Sequence, residues 1–506
     1  MRTLKNVHVL QLGTEDYSQF MPVAQCAKWH YEPSFEKLDI NEFDVSIIGR
    51  RIEEDELNLL RKYTKAYSVF IMDSVEIGEY EDPIRVLLES RKGQVISGEQ
   101  LSTLLQEDLY DYFSKSYGER DDIQNLNIAQ GFSGTVKWDG YQGVELYGDY
   151  GEKMTQIAFW RNTLPIDLNQ SIEYWLEYNK DPSVEISMEI VQFPAGTVSE
   201  IDNVWTFSEQ QLNDVVHITN DKRDGNFFVS LKAKGSGKLK IIALHDRHSR
   251  RGKGLFIPGG KRLVTSDREE VFYYFDPGNM RPPLNVYFSG YKTKEGFECY
   301  NMMRKLGHPF LLIAEARLEG GCAYLGSEEY ENLINKVIKQ HMDELNFDNS
   351  QVIMSGLSMG TVGAMYYGSD IHPHSVIVGK PLASFGNVAA NERINRPGGF
   401  ATSLDVLKKL CGSMDQQSVE RLNNRFWDKF RNTNWSGTRI AVAYMIEDDY
   451  DNTAYNNLLA SLKDSGVQIY GKGLHGRHND DSAGIISWFV SQYKKIIENE
   501  FHKKSE

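Results

Sequence analysis

Along the first 125 residues, short apolar runs alternate with stretches whose apolar positions recur at helical spacing. Residues 7–13 (Val-His-Val-Leu-Gln-Leu-Gly), 43–49 and 68–73 read as strands. Between the last two, residues 54–67 place Leu57, Leu60 and Tyr63 on one helical face. This alternation predicts a small open α/β unit over residues 1–125. It contains no G-x-G-x-x-G, so a dinucleotide site is unsupported. The loop Thr14-Glu15-Asp16-Tyr17 at a strand end is either a ligand loop or, more simply, a solvated turn.

From about residue 131 to 244 the helical period fades and alternation with a period of two takes over. Residues 143–147, 156–160, 171–178, 183–190, 227–231 and 238–244 read as strands of an antiparallel β-sandwich, assigned to residues 126–265. Trp138, Trp160, Trp175 and Trp205 fall here, as core or as stacking platforms for sugar rings. The unit ends in His245-Asp246-Arg247-His248-Ser249-Arg250-Arg251-Gly252-Lys253, the most basic stretch of the chain. Two readings stand open for it: a site for an anion or partner, or a solvated linker.

Residues 266–506 return to strand–helix alternation. Apolar runs at 283–288, 309–314, 351–354, 375–379, 439–446 and 467–470 are separated by helical patterns, including 328–345 and 485–501. The fold class is therefore α/β, with a doubly wound, mostly parallel C-terminal sheet. Within it, Gly356-Leu357-Ser358-Met359-Gly360 follows an apolar strand and precedes a helix-forming segment. Strand, G-x-S-x-G, helix is the nucleophile elbow of the α/β-hydrolase fold, whose tight turn exposes a serine Oγ. An insertion at 383–438 carries Val419, Leu422, Phe426 and Phe430 on one helix face, as a lid over the site or as core packing.

In this fold the acid and then the histidine follow the serine. Of the histidines after Ser358, His372 and His374 come before any acid-bearing strand, and His502 lies in the terminal tail. That leaves the loop between the last strand and the last helix, with His478 chosen over His475 as general base. At the end of the preceding strand stands Glu447-Asp448-Asp449, with Asp448 chosen as the acid and its two neighbours kept as alternatives. The oxyanion is expected at the Met359 N–H, with Gly290 or Tyr291 supplying a second donor from the loop after residues 283–288. Ser358 would attack an acyl carbonyl, and the acyl-enzyme would pass its group to water or an alcohol.

Bulk numbers exclude more than they assign. A net charge of −15 over 506 residues argues against a nucleic-acid partner. Four scattered cysteines (Cys26, Cys299, Cys322, Cys411) have no metal spacing and suit a reducing compartment. There is no apolar h-region at the start and no run near the ~20 residues that span a bilayer. No metal and no bound cofactor are expected, and no nucleotide motif identifies an acyl donor.

The three-part layout, the segment from His245 to Gly259-Gly260, and Ile353-Met354-Ser355-Gly356-Leu357-Ser358-Met359-Gly360-Thr361 together resemble the second accessory Sec protein family. That family serves the export of serine-rich-repeat adhesins in Gram-positive bacteria. The resemblance implies O-acetylation of N-acetylglucosamine on the adhesin by a triad mapping to Ser358, Asp448 and His478. It also implies a separable role in export, with the first and third accessory Sec proteins, the accessory Sec motor ATPase and the glycosylated adhesin as partners. The expected location is the cytoplasm, peripherally at the inner face of the membrane with the translocase. Two other readings stand beside it: a catalytically silent export chaperone or scaffold, and a plain carbohydrate esterase.

Overall fold

The computed structural model describes residues 6–34, 42–121, 123–316, 323–394, 402–463 and 465–501. It is a mixed α/β protein built on three sheets. The first is all parallel, in the spatial order Ala27–Glu32, Val7–Leu12, Val45–Ile48, Val69–Met72, Gln94–Ile96. Strands buried on both faces read as continuous apolar runs. That holds for Val45–Ile48 and Val69–Met72, in which every residue is buried. The strands Ala27–Glu32 and Gln94–Ile96 lie at the two edges and carry mixed, partly exposed sequences that no apolar run announces. The loop at Asp16 is a turn pinned to the neighbouring edge strand. Its carboxylate accepts from the Ser18 backbone N–H (3.0 Å) and from Trp29 Nε1 (2.9 Å).

The second sheet has ten strands, and the expected two-sheet sandwich is instead one continuous antiparallel sheet. The cause is a single 24-residue strand, Gly225–His248. Its first half pairs with Val184–Pro194 and its second half with Ser171–Lys180, while Val144–Trp160 runs along its other edge. Register shifts near Gly235, and positive φ at Gly235 (91°) and Gly237 (139°), bend it midway. The sheet so folded encloses one core with residues from both halves, among them Leu146, Leu176, Ile190 and Ile241. Of the four tryptophans only Trp138 is exposed; Trp160 and Trp175 are buried.

The third sheet runs Lys261–Val264, Glu270–Asp276, Phe310–Glu315, Leu284–Phe288, Val352–Leu357, Ser375–Gly379, Arg439–Met445, Gln468–Leu474. The first two strands are antiparallel and the remaining six parallel. Helices Glu328–Leu345 and Gly360–Ile371 contribute to the core on one face. Tyr300–Leu306 and Ser482–Ile496 contribute to that on the other. The sheet thus begins at Lys261, ahead of residue 266. In the inserted segment, Val419, Leu422, Phe426 and Phe430 are all buried in the first of these cores, so they pack the domain.

The basic stretch is neither a solvated linker nor an open anion site. His245, Arg247 and Arg250 are buried where the three sheets meet. Arg247 donates to Glu270 (2.9 Å) and Glu295 (2.6 Å), both in the third unit. Arg250 donates to the carbonyls of Asp111, Phe113, Ser114 and Phe256 at 2.8–2.9 Å and stacks over the Phe113 ring. Arg251 pairs with Asp111 and Lys253 with Asp108. Arg247 and Arg250 lie inside, where carboxylates and carbonyls from separate elements satisfy them.

Candidate active site

Four loops leave the carboxyl ends of parallel strands of the third sheet, where ligands bind in open α/β sheets. Gly290 follows Leu284–Phe288, Ser358 follows Val352–Leu357, Asp448 follows Arg439–Met445, and His478 follows Gln468–Leu474. Ser358 takes φ +52°, the left-handed region that a non-glycine residue rarely adopts. Its N–H is held by the Gly379 carbonyl at 2.8 Å. The flanking glycines make this possible. A Cβ on Gly356 would collide with the Gly360 carbonyl, and one on Gly360 with the Phe288 carbonyl.

Ser358 Oγ lies 2.8 Å from His478 Nε2, and His478 Nδ1 lies 2.8 Å from Asp448 Oδ2. Asp448 and His478 are buried. The other carboxylate oxygen of Asp448 accepts the N–H groups of Tyr450 (2.8 Å) and Asp451 (3.2 Å), so the acid is held from both sides. The Tyr450 ring stacks on the imidazole with centroids 4.0 Å apart and planes within 7°. Asp449 accepts the His478 backbone N–H at 3.1 Å. With Nδ1–H committed to Asp448, Nε2 is the acceptor facing the serine hydroxyl.

The alternatives sit elsewhere. His475 is 85% exposed in its side chain and pairs with Glu447, itself 52% exposed. Glu447 also accepts the Gly476 N–H at 2.6 Å, so this pair fastens the histidine loop from outside. His374 bonds Ser375 Oγ (2.7 Å), and His372 caps the end of the helix Gly360–Ile371. His502 lies outside the described residues.

Met359 opens the helix that follows the serine, where backbone N–H groups have no intrahelical partner. Gly290 differs from expectation. Its N–H donates to Glu298 Oε2 at 2.7 Å, so this donor is already held by a carboxylate. Tyr291, exposed, remains a candidate from the same loop. Nothing in the sequence pattern singled out Glu298 or Tyr450; only their placement beside Gly290 and His478 does.

Lys380 was likewise unforeseen. It is buried at the end of Ser375–Gly379, bonds Ser482 Oγ (3.2 Å) and couples electrostatically to Asp448 and Glu298; burial pushes its pKa down. Asp451 accepts the N–H groups of Ala383 (2.9 Å) and Ser384 (2.7 Å), tying the inserted segment to the acid loop. Burial pushes its carboxyl pKa up. A cavity of about 450 Å³ opens between the second and third sheets, with Arg120, Glu177, Thr293, Asp405 and Lys409 in its wall. Ser358 and His478 do not line it.

Among the described residues, Glu177, His245 and Glu270 group their ligand-type atoms closely enough for a metal. His245 already spends both ring nitrogens on Glu295 (2.6 Å) and Glu177 (3.1 Å), and Arg247 fills the space beside Glu270. The cluster is a salt-bridge network, and its donor set does not fit a cation.

Comparison with known proteins places the whole chain. A sequence model of the second accessory Sec protein family, described as an accessory Sec system GspB-transporter, matches residues 7–503. The second accessory Sec system protein of Streptococcus gordonii is 36% identical over 513 residues, spanning 99% of this chain and 100% of the relative. Its counterpart from Staphylococcus aureus (strain NCTC 8325 / PS 47) is 35% identical over 522 residues, spanning 98% of each. A solved chain of the Glycosylation Associate Protein (Gap123) complex from Streptococcus agalactiae superposes with a TM-score of 0.85 at 32% identity, over 99% of both chains. No helix among the described residues is long and apolar enough to cross a membrane. The chain belongs to the second accessory Sec protein family, the accessory Sec system GspB-transporters.

Proposed function

We propose that this protein is an O-acetyltransferase of the serine-hydrolase type, acting on N-acetylglucosamine of a serine-rich-repeat adhesin and also supporting its export. The observation that carries the catalytic reading is the unbroken line Ser358 Oγ–His478 Nε2, His478 Nδ1–Asp448, at 2.8 Å each. The acetyl group and the sugar acceptor come from the family resemblance. Export with the first and third accessory Sec proteins and the motor ATPase has the same source. It is supported by the S. agalactiae relative having been solved as a Gap123 complex.

In the proposed reaction, Ser358 Oγ attacks the carbonyl carbon of the acyl donor as its proton passes to His478 Nε2. Asp448 steadies the imidazolium, and the Met359 N–H faces the developing oxyanion. The bond from the carbonyl carbon to the donor's leaving group breaks, and that group takes the proton from Nε2. A sugar hydroxyl then attacks the acyl-serine, giving its proton to Nε2; collapse returns that proton to Ser358 Oγ. Water in place of the sugar would make the same site an esterase.

Glycopeptide mass spectrometry of the exported adhesin, from cells carrying wild-type protein or Ser358→Ala, tests this. The expected result is loss of acetyl groups with export retained. Unchanged acetylation would overturn the catalytic reading and leave a scaffold.

A further inference from the structure

The loop from Ser289 to Cys299 forms one side of the candidate site, yet much of what fixes it comes from outside its own sheet. At its inner end, Phe288 pairs in register with Gly356 of the elbow strand, and Gly290 packs against the Leu357 carbonyl. Glu298 closes the turn on itself: its carboxylate accepts the Gly290 N–H (2.7 Å) and its own N–H reaches Ser289 Oγ (3.3 Å). Three residues before Glu298 stands Glu295, fully buried. Its backbone exchanges both hydrogen bonds with Gly118 (3.1 and 2.8 Å), an isolated antiparallel bridge to the second sheet. Its side chain accepts from His245 Nδ1 (2.6 Å) and Arg247 Nε (2.6 Å) on the long strand. Lys115 donates to the carbonyl of Phe297, the residue directly before Glu298.

We infer that Glu295 is a positioning residue for the acyl site: through Glu298 it sets the Ser289–Gly290 turn beside Ser358, so the antiparallel unit holds one wall of the catalytic centre. The inference rests on Ser358 being the nucleophile. Arg247 and Arg262 share Glu270, and His245 has Glu177, so Glu295 supplies the third carboxylate for three cations. What sets Glu295 apart is its place in the chain: it ties Arg247 and His245 to the site loop. Its backbone bridge to Gly118 fixes the same residue independently of charge. Acyl transfer is sensitive to such placement, because displacements of about 1 Å at a reacting centre cost on the order of 100-fold.

The test is burst kinetics of the purified full chain with p-nitrophenyl acetate, with Ser358→Ala as control and thermal midpoints measured in parallel. Glu295→Gln should lower the acylation rate constant by about tenfold or more, with KM within about twofold, and Glu295→Asp should restore part of it. Lys115→Met removes a donor without stranding a buried charge. It should slow acylation severalfold while lowering the thermal midpoint by only a few degrees, as one carbonyl left without its donor requires. Glu298→Ala should lose acylation and Glu298→Gln, which keeps an acceptor for the Gly290 N–H, should regain most of it. A folded Glu295→Gln protein acylating at the wild-type rate overturns the inference. If Glu295→Gln does not fold, wild-type rates in both Lys115→Met and Glu298→Ala overturn it instead. A wild-type protein without a Ser358-dependent burst overturns the nucleophile assignment and this inference with it.

Discussion

Asp448→Asn is the substitution whose effect the geometry specifies most closely. One carboxylate oxygen accepts the N–H groups of Tyr450 and Asp451, and the other faces His478 Nδ1. An asparagine in the same pocket has one oxygen and one NH₂. Turning the NH₂ toward Tyr450 and Asp451 would set donors against two fixed backbone donors, so the oxygen takes that side. The NH₂ must then point at His478 Nδ1, which becomes an acceptor. The ring proton moves to Nε2, and Nε2 donates to Ser358 Oγ where it should accept. The general base of the proposed reaction is lost with almost no change in shape. In serine-hydrolase triads a wrong tautomer of this kind costs about 10⁴ in kcat, or about 5.4 kcal/mol of barrier at 1.36 kcal/mol per decade. The assay is the acylation rate with an activated ester, or the rate of Ser358 labelling by a fluorophosphonate, with thermal unfolding as a control for folding. Glu447→Gln, at an exposed carboxylate that touches only the outside of the loop, should stay within about twofold of wild type. A loss below about tenfold in a folded Asp448→Asn protein would refute the argument.

Other consequences concern the elbow and the junction. Gly360→Ala puts a Cβ into the Phe288 carbonyl; it should abolish Ser358 labelling and destabilise by about 1–3 kcal/mol or more in urea titrations. Arg250→Ala strips donors from the carbonyls of Asp111 and Phe113, while Phe256 keeps Ser116 and the exposed Ser114 rehydrates. Two lost partners at about 1–3 kcal/mol each predict a loss of roughly 3 kcal/mol. An unfolding free energy within about 1 kcal/mol of wild type would contradict it. Burial opposes the His245 imidazolium, but Glu295 and Glu177 outweigh it and hold the pKa at about 9 against an ordinary 6.5. Glu270, Arg247 and Asp121 are the other charges about it. A base with a raised folded pKa contributes stability that is fully present below the unfolded value and lost as pH rises through the folded one. The stability gap between wild type and His245→Gln should therefore shrink between about pH 6.5 and 9. A gap that stays constant across this window in urea titrations would show that His245 does not titrate there.

What could be read from the chain, and what could not, divides by the range of the interaction. The elbow is local: three elements and two glycines within ten residues specify Ser358, and chain order narrows the histidine and the acid to two loops. Choosing Asp448 over Glu447 needed the third dimension, since both end the same strand and only one turns inward. Glu298 could not be found from spacing, because its partner is a backbone N–H eight residues away in an irregular loop. The edge strand Lys261–Val264 was missed because half of it is charged, as edge strands often are. The basic stretch misled for a related reason. A run of cations looks solvated until the carboxylates that meet it, Glu270, Glu295, Asp111 and Asp108, are brought in from distant positions.

The long strand Gly225–His248 also sets a schedule for synthesis. Val144–Trp160 has most of its pairing on that strand, and about 65 residues separate Trp160 from Gly225. At roughly 5–20 residues per second, this sheet waits about 3–13 s on the ribosome for the strand that most of its members share. During that interval the hairpins before it carry open edges and an uncovered apolar face. Slowing elongation between residues 160 and 225 would lengthen this exposure, and speeding it would shorten it. The yield of soluble chain should follow codon choice in that interval more closely than in the first unit, whose paired strands lie 33 residues apart or less.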